Sequence, residues 1–182
     1  MREILPQAYL IGLIGLLAIA AFAVGRQVLR VRRDEASLAR LGGSGAASGS
    51  PRDSAGLYEL GSVQLRKRLY DQALDSLKLA AKRADADGEP SEARALIQNA
   101  LGFALAAKNN YKTAIRHYRQ ALADKPDYPV ALNNLAFALE KQQKFDEAEA
   151  AYQTVLGLDA NNKTAQKRLK LLERKAGARN VA

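Results

Sequence analysis

The 182-residue chain has no cysteine, no tryptophan, one methionine and one histidine. Without cysteine there is no disulfide framework, no thiol nucleophile and no Cys-ligated zinc or iron–sulfur site, and a lone His117 cannot supply a multi-histidine metal cluster. Also missing are a glycine-rich phosphate loop, paired catalytic carboxylates and a nucleophile elbow. These gaps predict a protein that is not an enzyme and that carries no cofactor and no metal. The sequence puts no nucleophile or orienting carboxylate pattern around His117, which reads as a surface histidine.

Charge is plentiful but uneven. The 28 Lys and Arg against 19 Asp and Glu leave a surplus of nine. Residues 1–50 hold a surplus of three, residues 51–162 are neutral, and residues 163–182 hold a surplus of six. A nucleic-acid binder carries its cations across its folded surface to neutralise successive phosphates. Here the middle is neutral and only the ends are basic, so no nucleic-acid partner is expected.

From Ile4 to Val24 no residue is charged, and leucine, isoleucine, phenylalanine and valine occur on every side of a helical projection. About 20 such residues span a hydrocarbon core of ~30 Å. The segment reads as one transmembrane helix, residues 1–25. Ala18-Ile19-Ala20 and Ala21-Phe22-Ala23 resemble signal-peptide cleavage sites. Arg26, Arg30, Arg32 and Arg33 directly after the apolar run favour an uncleaved anchor with the rest of the chain on the cytoplasmic side. Ala8, Gly12 and Gly15 share one helix face on which a second membrane helix can pack. Residues 26–41 read as a basic juxtamembrane helix, and the Gly/Ser-rich stretch 42–53 as a flexible linker.

Beyond the linker the chain repeats. Leu60-Gly61, Leu101-Gly102 and Leu135-Ala136 each precede an alanine, Ala73, Ala114 or Ala148, thirteen residues after the leucine. Leu77, Tyr118 or Tyr152 follows four residues later, and Ala80, Ala121 or Val155 three after that. This spacing resembles the tetratricopeptide repeat family, whose 34-residue unit is a helix, a turn and a second helix. The fold class is therefore all-α: an N-terminal transmembrane helix followed by a right-handed helical solenoid of three repeats and a capping helix.

The repeats read as residues 54–94, 95–128 and 129–162, followed by a basic capping helix and tail, 163–182. The first unit is seven residues longer than the next, the excess falling around Asp85 to Ser91 as an inter-repeat loop or a helix extension. Pro126 closes the second repeat, and Ala160 stands at that place in the third. Asp71 and Asp146 read as caps of the second helices of repeats one and three, a role Lys112 cannot fill, and Ser91 as the cap of the helix after the expansion. Leu169 and Leu172 form the buried side of the last helix.

In the repeat family the concave face is lined by one residue set from each first helix, and this implies a groove here. Repeat one gives Tyr58, Ser62, Leu65 and Arg66; repeat two gives Leu96, Asn99, Phe103 and Ala106; repeat three gives Val130, Asn133, Phe137, Glu140 and Lys141. Lys167 and Arg174 form a basic rim on the capping helix. The groove is mostly apolar and aromatic, with Asn99 and Asn133 placed to hydrogen-bond a bound backbone. Phe103 and Phe137 have inter-helix packing as the alternative role. Chaperone-binding members grip a C-terminal carboxylate with basic groove side chains. The matching positions here are Tyr58, Ser62, Ala100, Val130 and Asn134, of which only the asparagine fits, so chaperone-tail docking is not expected.

The layout of one N-terminal span, a basic connector and three repeats with an expansion after the first adds to these motifs. Together with Glu59-Leu60-Gly61-Ser62-Val63, Asn99-Ala100-Leu101-Gly102 and Ala131-Leu132-Asn133-Asn134-Leu135-Ala136-Phe137-Ala138, it resembles the thylakoid-anchored tetratricopeptide proteins that assist photosystem I assembly in cyanobacteria and plastids. The resemblance implies a scaffold held at the thylakoid membrane, its repeats on the cytoplasmic or stromal side. Its partners would be protein partners, photosystem I subunits or other assembly factors. The alternative is a membrane-bound scaffold for cytochrome maturation or cell-envelope assembly.

Overall fold

The computed structural model describes residues 4–42 and 53–179, and every regular element among them is an α-helix. The chain divides into two units, residues 1–49 and 50–182.

The first unit holds α1, Ile4–Gly42, an unbroken helix of 39 residues. At 1.5 Å per residue it is about 58 Å long. The apolar run and the basic stretch after it are thus one helix, and Gly42 belongs to it. Within α1, Gly12–Arg33 is long and apolar enough to cross a membrane, and none of that stretch is buried by the protein. Leu13, Ile14, Leu16, Leu17, Ile19, Phe22 and Val24 all stand exposed, a surface that suits lipid better than water. The Arg26 guanidinium lies 5.8 Å from the centroid of the Phe22 ring. The linker expected over 42–53 falls outside the described residues except for its ends, and so do residues 180–182 of the tail; the side chain of Ala8 is likewise outside them.

The second unit is three helical hairpins and a last helix: α2 (Ser54–Arg66) with α3 (Tyr70–Ala86), α4 (Ser91–Ala107) with α5 (Tyr111–Asp124), α6 (Pro129–Lys141) with α7 (Phe145–Leu158), then α8 (Lys163–Arg179). Each helix packs on the next in the chain, and α4 also touches α2 and α6, so the first helices of successive hairpins stand side by side. That is the construction of a solenoid.

Small residues set the distance within each hairpin. A Cβ at Gly61 would stand 2.6 Å from Leu77 Cγ, and one at Gly102 only 2.5 Å from Tyr118 Cε1. The bare backbone of the first helix therefore rests directly on the large side chain of the second. Ala136 fills the same position opposite Tyr152 in the third hairpin. Ala73, Ala114 and Ala148 are fully covered, as are Tyr118 and Tyr152. Burial raises both phenol pKa values above tyrosine's usual 10.0. One core joins α2, α3 and α4 and another joins α5 to α8, with Leu105 packed against both.

The turn inside each hairpin is the same each time. Arg68, Asn109 and Gln143 adopt φ of 60°, 62° and 60°. The next residue's N–H reaches back to the first helix: Leu69 to Gln64 O, Asn110 to Leu105 O and Lys144 to Leu139 O, at 2.9, 2.9 and 3.0 Å. This is the left-handed helix stop in which a 6→1 bond satisfies a carbonyl that the helix leaves unpaired.

The seven-residue expansion lies in the helices. Against 14 residues in α5 and α7, α3 has 17, and α4 has 17 against 13 in α2 and α6. Three residues at the end of α3 and four at the start of α4 account for all of it. The turn itself, Asp87 to Pro90, is no longer than the turn Lys125 to Tyr128. The Ser54 hydroxyl, 2% exposed, donates to Glu89 Oε1 at 2.6 Å and ties the extension to the start of α2.

The expected caps are corrected by the backbone. Asp71 and Asp146 lie in the first turns of α3 and α7, whose N-cap residues are Leu69 and Lys144 and make no side-chain cap bond. There the two carboxylates interact favourably with the helix dipole instead. Ser91 is the first residue of α4, and Pro90 precedes it at the N-cap. Side-chain caps occur at Asp53, which accepts from Gly56 N at 3.2 Å, and at Asn110, which accepts from Thr113 N at 3.3 Å.

Candidate functional site

Along α4, Leu96, Asn99 and Phe103 follow one another by three and four residues and so share a face. Val130, Asn133 and Phe137 repeat the pattern on α6, each at the equivalent position of the next repeat. Leu96, Phe103 and Val130 are exposed at 39%, 45% and 54%; Leu79 and Leu158 on the second helices are as exposed, but these three lie in a row on adjacent helices. Tyr58, Ser62 and Leu65 on α2 and Ala106 on α4 are half-buried, and Arg66 and Lys141 are exposed.

Phe137 is held more tightly than Phe103. The Tyr111 ring meets its edge with centroids 6.4 Å apart, Lys141 Nζ lies 5.3 Å from its centroid and the Arg168 guanidinium 4.9 Å from it. Phe137 thus combines inter-helix packing with two cation–π contacts, and Phe103 is the open aromatic of the pair. The Glu140 side chain is nearly covered and pairs with Arg168 at 3.4 Å, which draws it toward α8.

The two asparagines are bonded differently within the stack. Asn99 donates to the Tyr128 hydroxyl at 3.3 Å and accepts from Asn134 at 3.0 Å, so half its bonding capacity joins α4 to α6. Asn133 donates to Asn162 Oδ1 at 3.4 Å, and its own Oδ1 has no partner within the protein. That oxygen is buried, so the Asn133 amide reaches a bound segment only through its nitrogen.

The last helix carries more of this surface than a capping role implies. Thr164, Lys167 and Leu171 stand one repeat length after Val130, Asn133 and Phe137, and Leu171 is 40% exposed. With Lys163 and Arg168 they line a cavity of about 410 Å³. Their signal in the sequence was the same repeat step carried one helix further. Lys167 and Arg174 are exposed. On its other side α8 buries Ala165 and Leu172, and Leu169 is half-buried.

His117 is not a plain surface residue. It is half-buried on α5 with Nδ1 2.8 Å from Gln98 Oε1. Its pKa is lowered from 6.5 by burial first, then by the Arg116 and Lys78 charges.

Residues 105–172 match the family model described as tetratricopeptide repeat. Among solved structures, the first TPR of Spaghetti (RPAP3) bound to the HSP90 peptide SRMEEVD superposes with a TM-score of 0.61 at 25% identity, over 69% of this chain and 96% of that one. The tetratricopeptide repeat domain-containing protein PYG7, chloroplastic, of Arabidopsis thaliana is 35% identical over 88% of this chain, which spans about half, 52%, of that protein's length. The protein ycf37 of Porphyra purpurea is 30% identical over 64% of this chain and 68% of its own length. The chain belongs to the plastid and cyanobacterial family of tetratricopeptide-repeat proteins that includes ycf37 and PYG7, and its fold is that of a protein-interaction scaffold.

Proposed function

We propose that this chain is a membrane-anchored scaffold that holds a protein partner in the groove formed by α2, α4, α6 and α8, and that it assists photosystem I assembly or stability at the thylakoid membrane. The observation that carries the groove is the row of exposed apolar side chains on α4, α6 and α8, Leu96 with Val130 at one repeat position and Phe103 with Leu171 at another. An apolar strip of this kind costs solubility unless a partner covers it. The anchor rests on the exposed apolar length of α1 and on the arginines that follow it, which favour a cytoplasmic or stromal position for the repeats. Kinship with the chloroplastic relative supports the photosynthetic membrane as the setting.

The scaffold needs no chemistry of its own. Fixing the groove to the membrane raises its effective concentration near membrane-inserted subunits, so modest affinity per contact suffices. The chaperone tail seen on the structural neighbour is not the expected occupant, because Tyr58, Ser62, Ala100 and Val130 offer no cation to a terminal carboxylate.

The test is co-purification from native membranes with wild type and with a Phe103→Glu, Val130→Glu variant. Both side chains point into solvent, so the variant keeps its fold. Photosystem I subunits are expected with wild type, and their recovery should fall at least about tenfold with the variant, the loss given by burying two unpaired carboxylates. Equal recovery contradicts groove binding. Recovery of cytochrome-maturation or envelope proteins instead supports the alternative setting.

A further inference from the structure

On the side of the stack formed by the second helices, a cavity of about 390 Å³ opens between α3, α4 and α5, lined by Asp85, Arg94, Gln98, Arg116, His117, Gln120 and Asp124. None of these residues belongs to the groove. The next junction along the stack shows that the repeat architecture does not require its polarity. There, at the equivalent positions of the following repeat, Leu132, Ala151 and Thr154 stand in place of Gln98, His117 and Gln120, and Leu132 and Ala151 are buried. Two of its walls, Asp85 and Arg94, belong to the extended ends of α3 and α4, so the expansion and the polar lining occur together.

We propose that this cavity binds an oxyanion, a phosphate or carboxylate group, with Arg116 and His117 as its principal contacts. Arg94 is fixed along the wall, donating to Asp124 Oδ1 and to the Glu89 carbonyl, both at 3.0 Å. That pair neutralises Asp124. The charges left facing His117 are Arg116 from α5, Lys78 from α3 and Asp85 from α3, a net positive set. The amide of Gln98, bonded to His117 Nδ1, holds the ring in place and leaves Nε2 to take a second proton when an anion arrives. Crowded cations with one histidine among them are relieved by an anion, and by linkage a bound anion raises the histidine pKa.

His117 is the only histidine, so its imidazole C–H protons are read without overlap by NMR on the full chain in detergent micelles. Inorganic phosphate and, separately, acetate are titrated in at constant ionic strength. The expected result is a saturable shift of the His117 signals and a titration midpoint that starts below 6.5 and moves up as the anion is added. Arg116→Gln should weaken the apparent affinity about tenfold, the effect of one charge-assisted hydrogen bond, while Lys170→Gln, an equal loss of charge on α8, should leave it unchanged. A response to phosphate alone names a phosphate-bearing ligand, and a response to both anions extends the site to carboxylates. No saturable response to either anion, or the same response in Arg116→Gln, overturns the proposal.

Discussion

Gly61 and Gly102 hold the hairpins together by what they lack. At Gly102 the Cβ of an alanine would have to displace the ring of Tyr118, which is 1% exposed and walled in. Gly102→Ala should therefore destabilise the repeats by about 1–3 kcal/mol, even though alanine is the better helix former. Ala136→Gly, at the same position in the third hairpin, relieves no clash and should cost about 1 kcal/mol in backbone entropy. Urea denaturation of the two variants compares them directly. Gln64 is the complementary case. It is 8% exposed with Oε1 unpartnered within the protein, at the register occupied by Leu105 and Leu139 in the next two repeats. Gln64→Leu should raise stability by about 1–2 kcal/mol by removing a buried amide oxygen that gains nothing; an unchanged or lower denaturation midpoint would show that this oxygen is satisfied.

At the scale of elements, the turns decide where helices begin. The left-handed residue and the 6→1 bond after it start α3, α5 and α7 at Tyr70, Tyr111 and Phe145, one residue ahead of Asp71, Lys112 and Asp146. A reading of capping side chains alone misplaces the boundary because Arg68 and Gln143 give no sign of a left-handed stop. Only Asn109, of the three, is a residue that tolerates that backbone. Arg68→Gly and Gln143→Gly should each stabilise the unit by about 0.5–1 kcal/mol, and Asn109→Gly by much less, as read from thermal unfolding midpoints. The hairpins themselves were legible, since the small residues that let helices approach keep the same spacing inside each repeat. The expansion was legible as an insertion. Its division between two helices was not, because Gly88 and Pro90 mark a break without saying how far the helices run up to it.

At the scale of the molecule, the charge pattern and the fold agree. The neutral stretch builds the stack, and the cations gather after the apolar run of α1 and on α8. The exposed strip of Leu96, Phe103 and Val130 was legible from the repeat register, whereas the packing of Phe137 was not, because Arg168 reaches it from α8, beyond the whole of α7 in the chain. Nor could the sequence reveal that Asn99 is bonded to Tyr128 and Asn134, a contact that exists only once α4 and α6 stand side by side. The basic rim of Lys167 and Arg174 on α8 was legible, whereas the exposed Leu171 and the cavity that it lines with Lys163, Thr164, Lys167 and Arg168 were not.

A partner protein lying along the strip of exposed apolar side chains on α4 and α6 leaves a footprint confined to that face. Site-specific photocrosslinking in native membranes tests it, with the reactive side chain placed at position 103 on α4 or at position 79 on α3, an exposed leucine among the second helices. Strong crosslinks to photosystem I subunits or their assembly factors are expected from position 103 and little or none from position 79. Equal capture from both positions, or capture from position 79 alone, would contradict it.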